Sequence, residues 1–414
     1  MAAKLLDRFL RYVQVETQSD DRSPTCPSTP GQFDLQRMLK SELEQLGAAD
    51  VILTPEGYLM ATIPATSKRQ GIPTVAFFAH VDTAPDFSGR NVKPIVHRNY
   101  QGGPIRFPDD PRLVLDAKSA PDLLHAKGKD LVTASGTTLL GADDKAGVAI
   151  LVTLADTLLR NPKLKHGKIR LCFTPDEEIG RGVDRLNLQQ LNADVAYTLD
   201  GGPPGEICWE TFSADAAEVT IEGVSTHPGE ARSKGMVSAI QLAAKFINSL
   251  PREQCAPEST RDREGFIHPT RIEGGVERSV IKMILRDFEL DGLAAMRKIV
   301  QGLCEGLRAA EPRARIRCQI RKQYRNMAYW LRQNMQPVDH ARLAVRSLGL
   351  EPIDRAIRGG TDGSRLTEKG LPCPNLFTGM HNIHGPLEWV AVQDMELAVK
   401  QCVALAHSWV TKLR

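Results

Sequence analysis

The sequence predicts an α/β protein in which helices cover a mostly parallel sheet, with a ferredoxin-like domain of βαββαβ order inserted into it. Three observations support this prediction. Strand-like apolar runs alternate with helical patterns in the first half of the chain, the order of elements changes from residue 215, and the alternation returns after residue 336. We therefore predict one discontinuous domain, residues 1–210 and 326–414, and one inserted domain, residues 211–325.

The elements of the larger domain are predicted from periodicity. Its helices have apolar residues every three to four positions, and its strands are short apolar runs bounded by turn-forming residues. In the first half of the chain these elements are helices at 4–13, 33–46 and 145–160, and strands at 51–54, 58–64, 74–80, 168–175 and 195–202. Residues 86–130 are rich in proline, aspartate and glycine and are predicted to be a long irregular segment.

The inserted domain has a different order of elements. Its predicted elements are strands at 215–223, 265–275, 278–288 and 313–322, with helices at 235–250 and 291–310. This βαββαβ order is typical of a ferredoxin-like unit. The larger domain then resumes with a helix at 337–348, strands at 352–358 and 374–378, and a closing helix at 394–411.

The composition argues against several classes of function. The chain has 414 residues and 42% hydrophobic content, enough for two or three domains at ~150 residues each. Lysine and arginine (53) nearly balance aspartate and glutamate (50), so we expect no nucleic-acid or membrane partner and a small neutral or zwitterionic substrate. No signal-peptide pattern or run of ~18 apolar residues occurs, so we expect a cytoplasmic protein. The eight cysteines include no C-x-x-C pair, which argues against a disulfide framework and a thiolate zinc site.

Carboxylates occur at four places in the larger domain: at the ends of three predicted strands, and where an apolar run leads into the helix at 145–160. Each group taken alone fits a solvated surface as well as a site. The residues are His80 and Asp82, Asp143 and Asp144, Glu177 and Glu178, and Asp200. In an α/β sheet such strand ends gather at one edge, where the acids would repel one another unless cations neutralised them. We therefore predict a metal site built from carboxylates and histidine.

Two divalent ions fit this set of ligands better than one. His384 supplies a second histidine, whereas we expect the neighbouring His381 to lie on the surface. Histidine with carboxylates and no cysteine suits zinc, cobalt or manganese. Of the adjacent Glu177 and Glu178, one is expected to bind metal and the other to carry a proton.

Several motifs together resemble the peptidase T family of tripeptide aminopeptidases, in the co-catalytic zinc aminoacylase/carboxypeptidase superfamily. They are HVDTAPDFSG, TLLGADDKAGVA, FTPDEEIG, YTLDGG, STHPGEAR, IRGGTDGSRL and LPCPNLFTG with HGPLE. The resemblance runs essentially from end to end. It implies two Zn²⁺ ions per subunit, with Co²⁺ or Mn²⁺ as substitutes, short peptide substrates, and an inserted domain that serves as a lid and for homodimerisation.

The resemblance also implies a role for each candidate residue. Asp143 bridges both metals and is followed by a cis peptide bond, and Asp144 does not bind metal. The implied ligands are completed by His80 and Asp200 on one metal and by Glu178 and His384 on the other. Glu177 is the general base for a metal-bridging hydroxide nucleophile, and Asp82 orients His80. The alternative is a related amidase or carboxypeptidase that acts on N-acyl amino acids or dipeptides, and a metal-bound protein without catalysis is a third possibility.

Three further residues of the resemblance concern the substrate. His227 in HPG is implied to reach the neighbouring subunit's site and steady the oxyanion, although a loop histidine bonded to the backbone fits the same pattern. Arg286 and Arg358 are implied to hold the substrate carboxylate, although Arg286 pairing with Asp287 is an alternative. The segment after His227 and Pro386 depart from the family pattern and leave the preferred substrate length open.

Overall fold

The computed structural model describes residues 1–411, which fall into two compact units. The larger unit comprises Met1–Trp209, Trp330–Arg355 and the chain from Thr361, and the smaller comprises Glu210–Tyr329 and Ala356–Gly360. The smaller unit thus extends beyond the predicted segment 211–325 at both ends and adds a second piece. None of the helices within residues 1–411 is long and apolar enough to cross a membrane.

The elements follow the predicted order, with additional short ones. The helices are α1 (Ala2–Val13), α2 (Gly31–Leu46), α3 (Ala142–Leu159), α4 (Leu188–Leu191), α5 (Ala239–Asn248), α6 (Arg252–Cys255), α7 (Leu290–Ala310), α8 (Ala328–Leu331), α9 (Gln336–Ser347), α10 (Asp362–Glu368) and α11 (Val392–Ser408). The strands are β1 (Ala49–Leu53), β2 (Leu59–Ile63), β3 (Val75–His80), β4 (Ile95–His97), β5 (Ile105–Arg106), β6 (Val114–Leu115), β7 (Leu131–Thr133), β8 (Ile169–Thr174), β9 (Val195–Gly201), β10 (Glu206–Thr211), β11 (Ser213–Glu222), β12 (Phe266–Gly274), β13 (Arg278–Asp287), β14 (Arg315–Tyr324), β15 (Ile353–Ile357), β16 (Asn375–Phe377), β17 (Met380–His381) and β18 (Trp389–Ala391).

An eight-stranded sheet forms the centre of the larger unit. Its strand order is β1-β2-β8-β3-β9-β16-β10-β15, and the central strands β8, β3, β9 and β16 are parallel. Alternate residues of these strands enter two apolar clusters: Phe77 and Leu171 pack with α1 and α3, whereas Phe78 and Cys172 pack with Leu366 of α10. Because both faces are buried, the strands are apolar throughout, which explains why they could be recognised in the sequence.

The segment predicted to be irregular, residues 86–130, contains secondary structure. It includes β4, the paired strands β5 and β6, and a short 3-10 helix at Pro121–His125. Phe107, Leu115 and Leu123 pack into a small apolar cluster with Trp389. The strands are too short to show a periodic pattern, and long-range packing rather than local propensity holds them in place.

The smaller unit has a ferredoxin-like fold. Its strands pair antiparallel in the order β12-β13-β11-β14, and α5 and α7 pack on one face of the sheet around an apolar cluster. Residues 356–360 belong to this unit because the backbone N–H of Phe212 donates to the carbonyls of Ile357 and Gly359, both at 3.1 Å. The lid and dimerisation roles of this unit remain predictions.

Candidate metal centre

The carboxyl ends of the parallel strands carry most of the predicted ligands. β3 ends at His80, β8 ends at Thr174 shortly before Glu177, and Asp200 lies at the end of β9. Because β8, β3 and β9 are parallel neighbours, these ends lie at one edge of the sheet. The start of α3 joins them, since the backbone N–H of His80 donates to Asp144 Oδ2 at 3.1 Å.

The Asp143 carboxylate lies between two imidazoles. Its Oδ1 is 3.0 Å from His80 Nε2, and its Oδ2 is 3.1 Å from His384 Nε2. The Asp143 side chain is buried. A carboxylate with one nitrogen ligand beside each oxygen can join two cations, so this geometry is compatible with the predicted bridging role.

Each histidine has a second carboxylate beside the same nitrogen. Asp200 Oδ1 is 3.8 Å from His80 Nε2, and Glu178 Oε2 is 3.1 Å from His384 Nε2. Asn375 fixes the backbone of Asp200, accepting its N–H at 3.0 Å and donating to its carbonyl at 2.9 Å. The structure therefore brings the five predicted ligands together in two sets around Asp143.

Asp82 connects His80 to the segment that holds the two glutamates. Its Oδ1 is 3.3 Å from His80 Nδ1 and accepts the backbone N–H of Glu177 at 3.0 Å, while its Oδ2 accepts the backbone N–H of Glu178 at 3.1 Å. Asp82 is fully buried. The Asp82 backbone carbonyl is nearer to His80 Nδ1, at 3.1 Å, so the carbonyl and the carboxylate together fix the imidazole ring and leave Nε2 free to bind a metal. The sequence predicted the contact with His80 but gave no sign of the two backbone contacts.

His384 has a similar partner that the sequence analysis missed. Asp86 Oδ2 lies 3.5 Å from His384 Nδ1. We call His80, Asp200 and Asp82 the His80 half of the site. The His384 half consists of His384, Glu178 and Asp86. Asp86 is the second acid of the motif HVDTAPD, and its position in an exposed loop left no periodic signal.

Crowding of buried acids raises the proton affinity of this site. Burial and the neighbouring Asp143 raise the pKa of Glu178 to about 8 and that of Asp200 to about 6. Burial acts against protonation of His384, but hydrogen bonds to Asp143 and Glu178 raise its pKa to about 11. Negative charge crowded in this way is neutralised either by bound protons, as these raised pKa values show, or by bound cations.

The donor set fits a pair of divalent cations. Glu178 Oε1 is buried and has no hydrogen-bond partner among the described residues, although its Oε2 faces His384. A buried carboxylate oxygen without a partner is costly unless a cation binds it. Imidazole nitrogens and carboxylate oxygens are ligands of zinc, cobalt and manganese. The residues present thus fit a two-metal site.

Asp144 also lies within reach of a cation, although the resemblance implies that it does not bind one. Ligand atoms of His80, Asp144 and Asp200 lie within 4.8 Å of one another, as do those of His80, Asp143 and Glu178. Asp144 Oδ2 already accepts the His80 N–H, and its Oδ1 accepts the N–H of Gly147 at 3.1 Å. Both Asp144 oxygens thus accept backbone N–H groups, whereas both Asp143 oxygens face imidazole nitrogens. The peptide bond between Asp143 and Asp144 is cis, as the resemblance implies.

Glu177 is placed beside the site without being part of either half. Its backbone is fixed by Asp82, and its carboxyl group is surrounded by other acids. Burial, followed by the charges of Asp200, Asp362 and Glu178, raises its pKa well above the usual range. A carboxylate with raised proton affinity is suited to accept a proton and return it, as a general base must.

Glu388 is a buried acid whose function the sequence analysis missed. Its Oε2 accepts the backbone N–H groups of Leu140 at 2.7 Å and Gly141 at 2.8 Å, and its Oε1 accepts that of Asp143 at 3.0 Å. It is 1% exposed, and burial raises its pKa to about 7. Glu388 therefore fixes the turn that presents Asp143. Its place four residues after His384 was the only signal in the sequence.

The prediction that His381 lies on the surface is wrong. His381 is 8% exposed, its ring stacks on Trp389 with centroids 3.9 Å apart, and its Nδ1 is 3.2 Å from Asp122 Oδ2. Burial lowers the pKa of His381. The stack forms because β17 and β18 pair antiparallel, with His381 directly opposite Trp389.

The three predicted substrate residues belong to the smaller unit. His227 is exposed, and its Nδ1 accepts the backbone N–H of Gly229 at 3.1 Å, which is a local contact of the kind left open by the sequence. Arg358 was placed in the larger domain by the sequence. Its Nη2 donates to Thr260 Oγ1 at 2.7 Å, and its guanidinium lies 5.6 Å from the ring centroids of Phe212 and Phe266.

Arg286 is held within its own sheet. Its Nη1 donates to Gln323 Oε1 at 2.8 Å and to the Leu285 carbonyl at 3.0 Å, and its guanidinium lies over Tyr324. The alternative that Asp287 pairs with Arg286 is wrong, because Asp287 accepts the backbone N–H of Glu289 instead and forms no ion pair with Arg286 in the described chain.

Comparisons with known proteins connect this geometry to a family. A profile of peptidase family M20/M25/M40 matches residues 135–408. The chain is 45% identical to a peptidase T from Bacillus velezensis over 98% of both chains. It is 43% identical to a peptidase T from Bacillus subtilis strain 168 over 99% of both chains.

Crystal structures with the same fold agree with this relationship. A tripeptidase from Staphylococcus aureus matches with a TM-score of 0.77 and 23% identity, over 100% of this chain and 99% of that one. The aminopeptidase PepT from Bacillus cereus matches with a TM-score of 0.75 and 23% identity, over 99% of both chains. A dinuclear metal-binding M20 peptidase from Bacillus subtilis matches with a TM-score of 0.64 and 16% identity, over 99% of both chains.

Proposed function

Since the chain belongs to peptidase family M20/M25/M40 and is a metallopeptidase related to peptidase T, we propose that it is a di-zinc tripeptide aminopeptidase. It would release the N-terminal residue of short peptides. The observation that carries the proposal is the Asp143 carboxylate, which has an imidazole beside each oxygen and one further carboxylate beside each imidazole.

The metal ions supply the electrophilic part of this chemistry. Two bound zinc ions would polarise the scissile carbonyl and lower the pKa of a water molecule to near neutral. Five residues of the larger unit are proposed to hold them. These are His80, Asp143, Glu178, Asp200 and His384.

The chain's own residues handle the proton. Glu177 accepts a proton from the attacking water and delivers it to the departing amine, which leaves as a neutral group. Asp82 keeps Glu177 in place, since the carboxylate that accepts its backbone N–H also fixes His80. For the smaller unit, we propose the roles implied by the resemblance: a lid and dimer contact, with His227 at the oxyanion and Arg286 and Arg358 at the substrate carboxylate.

A digest followed by mass spectrometry tests the proposal. The purified protein, loaded with zinc, is incubated with a dipeptide, a tripeptide, a tetrapeptide and the N-acetylated tripeptide, before and after treatment with a chelator. We expect cleavage of the first residue from the tripeptide, none from the N-acetylated form, and loss of cleavage with the chelator. Preference for the N-acetylated substrate would favour the amidase alternative and overturn the aminopeptidase assignment.

A further inference from the structure

Two cysteines of the smaller unit face each other across a helix and a strand. Cys304 lies on the buried face of α7, fully enclosed, between Val300 and Leu307. Cys318 lies on β14, half-buried, and packs against the same apolar cluster between Ile316 and Ile320. β14 is the edge strand of its sheet, so Cys318 is close to solvent while Cys304 is not.

A backbone contact sets the register that brings the two thiols together. Arg308 Nε donates to the Ile316 carbonyl at 2.8 Å. Cys304 is one helical turn before Arg308, and Cys318 is two strand residues after Ile316. One turn of helix advances about 5.4 Å and two strand residues about 6.6 Å, so the two steps nearly match. This register places the Cys304 side chain opposite that of Cys318, and both belong to the same apolar cluster.

Cys318 differs in reactivity from the other cysteines, whereas the pKa of Cys304 is raised as theirs are. The neighbouring Cys304 thiol and the charge of Arg308 lower the pKa of Cys318 to about 7, against the effect of burial. Burial raises the pKa of the other cysteines, to about 12 for Cys208. Because the thiolate is the nucleophile, Cys318 is the most reactive thiol near neutral pH, and Cys304 packs in the same apolar cluster.

We propose that Cys304 and Cys318 form a modification site, a dithiol that a peroxide converts into an intrachain disulfide between α7 and β14. The Cys318 sulfur attacks one peroxide oxygen and the O–O bond breaks. The other oxygen departs as water, and Cys318 becomes a sulfenic acid. The Cys304 sulfur then attacks the Cys318 sulfur and releases a second water. The two thiols lose two electrons and two protons, hydrogen peroxide is reduced to two waters, and a thiol reductant reverses the step. The inference is independent of the proposed peptidase activity.

Peptide mapping tests the site on the full-length protein. The protein is treated with hydrogen peroxide, the remaining thiols are alkylated, and trypsin is added without reduction. We expect peptide 299–308, IVQGLCEGLR, to be linked to peptide 318–321, CQIR, and the link to disappear after dithiothreitol. Cys318 recovered unlinked, as the alkylated or the sulfinic form, would overturn the proposal.

Matched variants separate this pair from general cysteine oxidation. Cys255 is also half-buried but has no thiol partner within residues 1–411, so Cys255→Ser is expected to form the link at the wild-type rate. Cys304→Ser is expected to abolish the link and to leave Cys318 open to further oxidation. The oxidised wild type is expected to unfold at a higher urea concentration than the reduced form, because the disulfide restricts the unfolded chain. If Cys255 oxidises as fast as Cys318 in the wild type, the proposed selectivity is wrong.

Discussion

The two halves of the metal centre use the same groups but differ in their surroundings. In the His80 half, the imidazole is 2% exposed and its partner Asp82 is 0% exposed. In the His384 half, the imidazole is 38% exposed and its partner Asp86 is 66% exposed. His80 ends a buried strand, whereas His384 lies in a loop with a φ of +64°. The His80 half thus has its histidine on a strand of the sheet, whereas the His384 half has its histidine in a loop.

This difference predicts unequal contributions from similar contacts. An ion pair that is removed from water is worth far more than an exposed one, because solvent screens the exposed pair. The carboxylate behind His80 should therefore matter much more than the carboxylate behind His384. We also expect a cation in the His384 half to exchange with solvent faster than one in the His80 half.

The largest effect is expected at a residue that serves both halves. Glu177→Gln removes the proposed proton carrier but leaves all five ligands, so both metals should stay bound while kcat falls by about 10²–10⁴-fold. Kinetics and elemental analysis of the same preparation measure the two quantities. The exposed substitution Glu44→Gln is the control and should change neither. A kcat within tenfold of the wild type would remove Glu177 from the mechanism.

The next prediction compares the two histidine partners directly. Asp82→Asn weakens the hold on His80 Nδ1 and on the glutamate segment, so zinc affinity should fall by about 10–100-fold. Asp86→Asn changes an exposed contact and should change zinc affinity by less than about threefold. Competition with a fluorescent zinc chelator measures both variants. Equal losses in the two variants would show that exposure does not distinguish the halves.

A smaller effect is expected at Glu388, which supports the residue shared by both halves. In Glu388→Gln an NH₂ group replaces one carboxylate oxygen and cannot accept a hydrogen bond. At least one backbone N–H of the turn before Asp143 therefore loses its acceptor. We expect a free energy of unfolding lower by about 1–3 kcal/mol and weaker binding of both zinc ions. Urea denaturation and metal titration test this, with the exposed Glu351→Gln as control. Loss of only one metal would mean that Asp143 does not connect the halves.

The last prediction distinguishes the halves by pH in the metal-free protein. Between the ordinary glutamate pKa of 4.5 and about 8, folded Glu178 keeps a proton that the unfolded chain has released, so stability falls as pH rises. Asp200 acts in the same direction between 3.8 and about 6. Above pH 6.5 His384 adds to the fall, because its pKa is about 11 in the folded protein.

Thermal unfolding in a chelator measures this dependence. The midpoint should decrease from pH 5 to pH 8. Asp200→Asn should flatten the lower part of the curve, and Glu178→Gln the upper part. A midpoint that rises with pH in the metal-free wild type would contradict these assignments.

The sequence predicted the His80 half more completely than the His384 half. His80, Asp82 and Asp200 stand at the ends of strands that are apolar because both sheet faces are buried, so their meeting point follows from the fold class. Asp86 lies in an exposed loop, and its approach to His384 depends on how two distant segments pack. No local pattern encodes such a contact.

The same reasoning explains the other misses. β10 is a six-residue strand whose neighbours β16 and β15 come from much later in the chain, and Glu388 acts through backbone groups that any sequence would provide. Arg358 was assigned to the larger domain because sequence order suggested it, whereas hydrogen bonds from Phe212 draw residues 356–360 into the smaller unit. Periodicity predicts the helices and strands, and the positions of charged residues predict which acids meet at the strand ends. Neither predicts how the connecting loops pack.

The Asp82 carboxylate has a consequence for protein engineering. Because it accepts both glutamate backbone N–H groups while it lies against His80, the segments 80–82 and 176–178 form one transferable piece. A designer who grafts this chemistry onto another scaffold must transplant both segments together. Moving the glutamates alone would remove the acceptor for both of their backbone N–H groups.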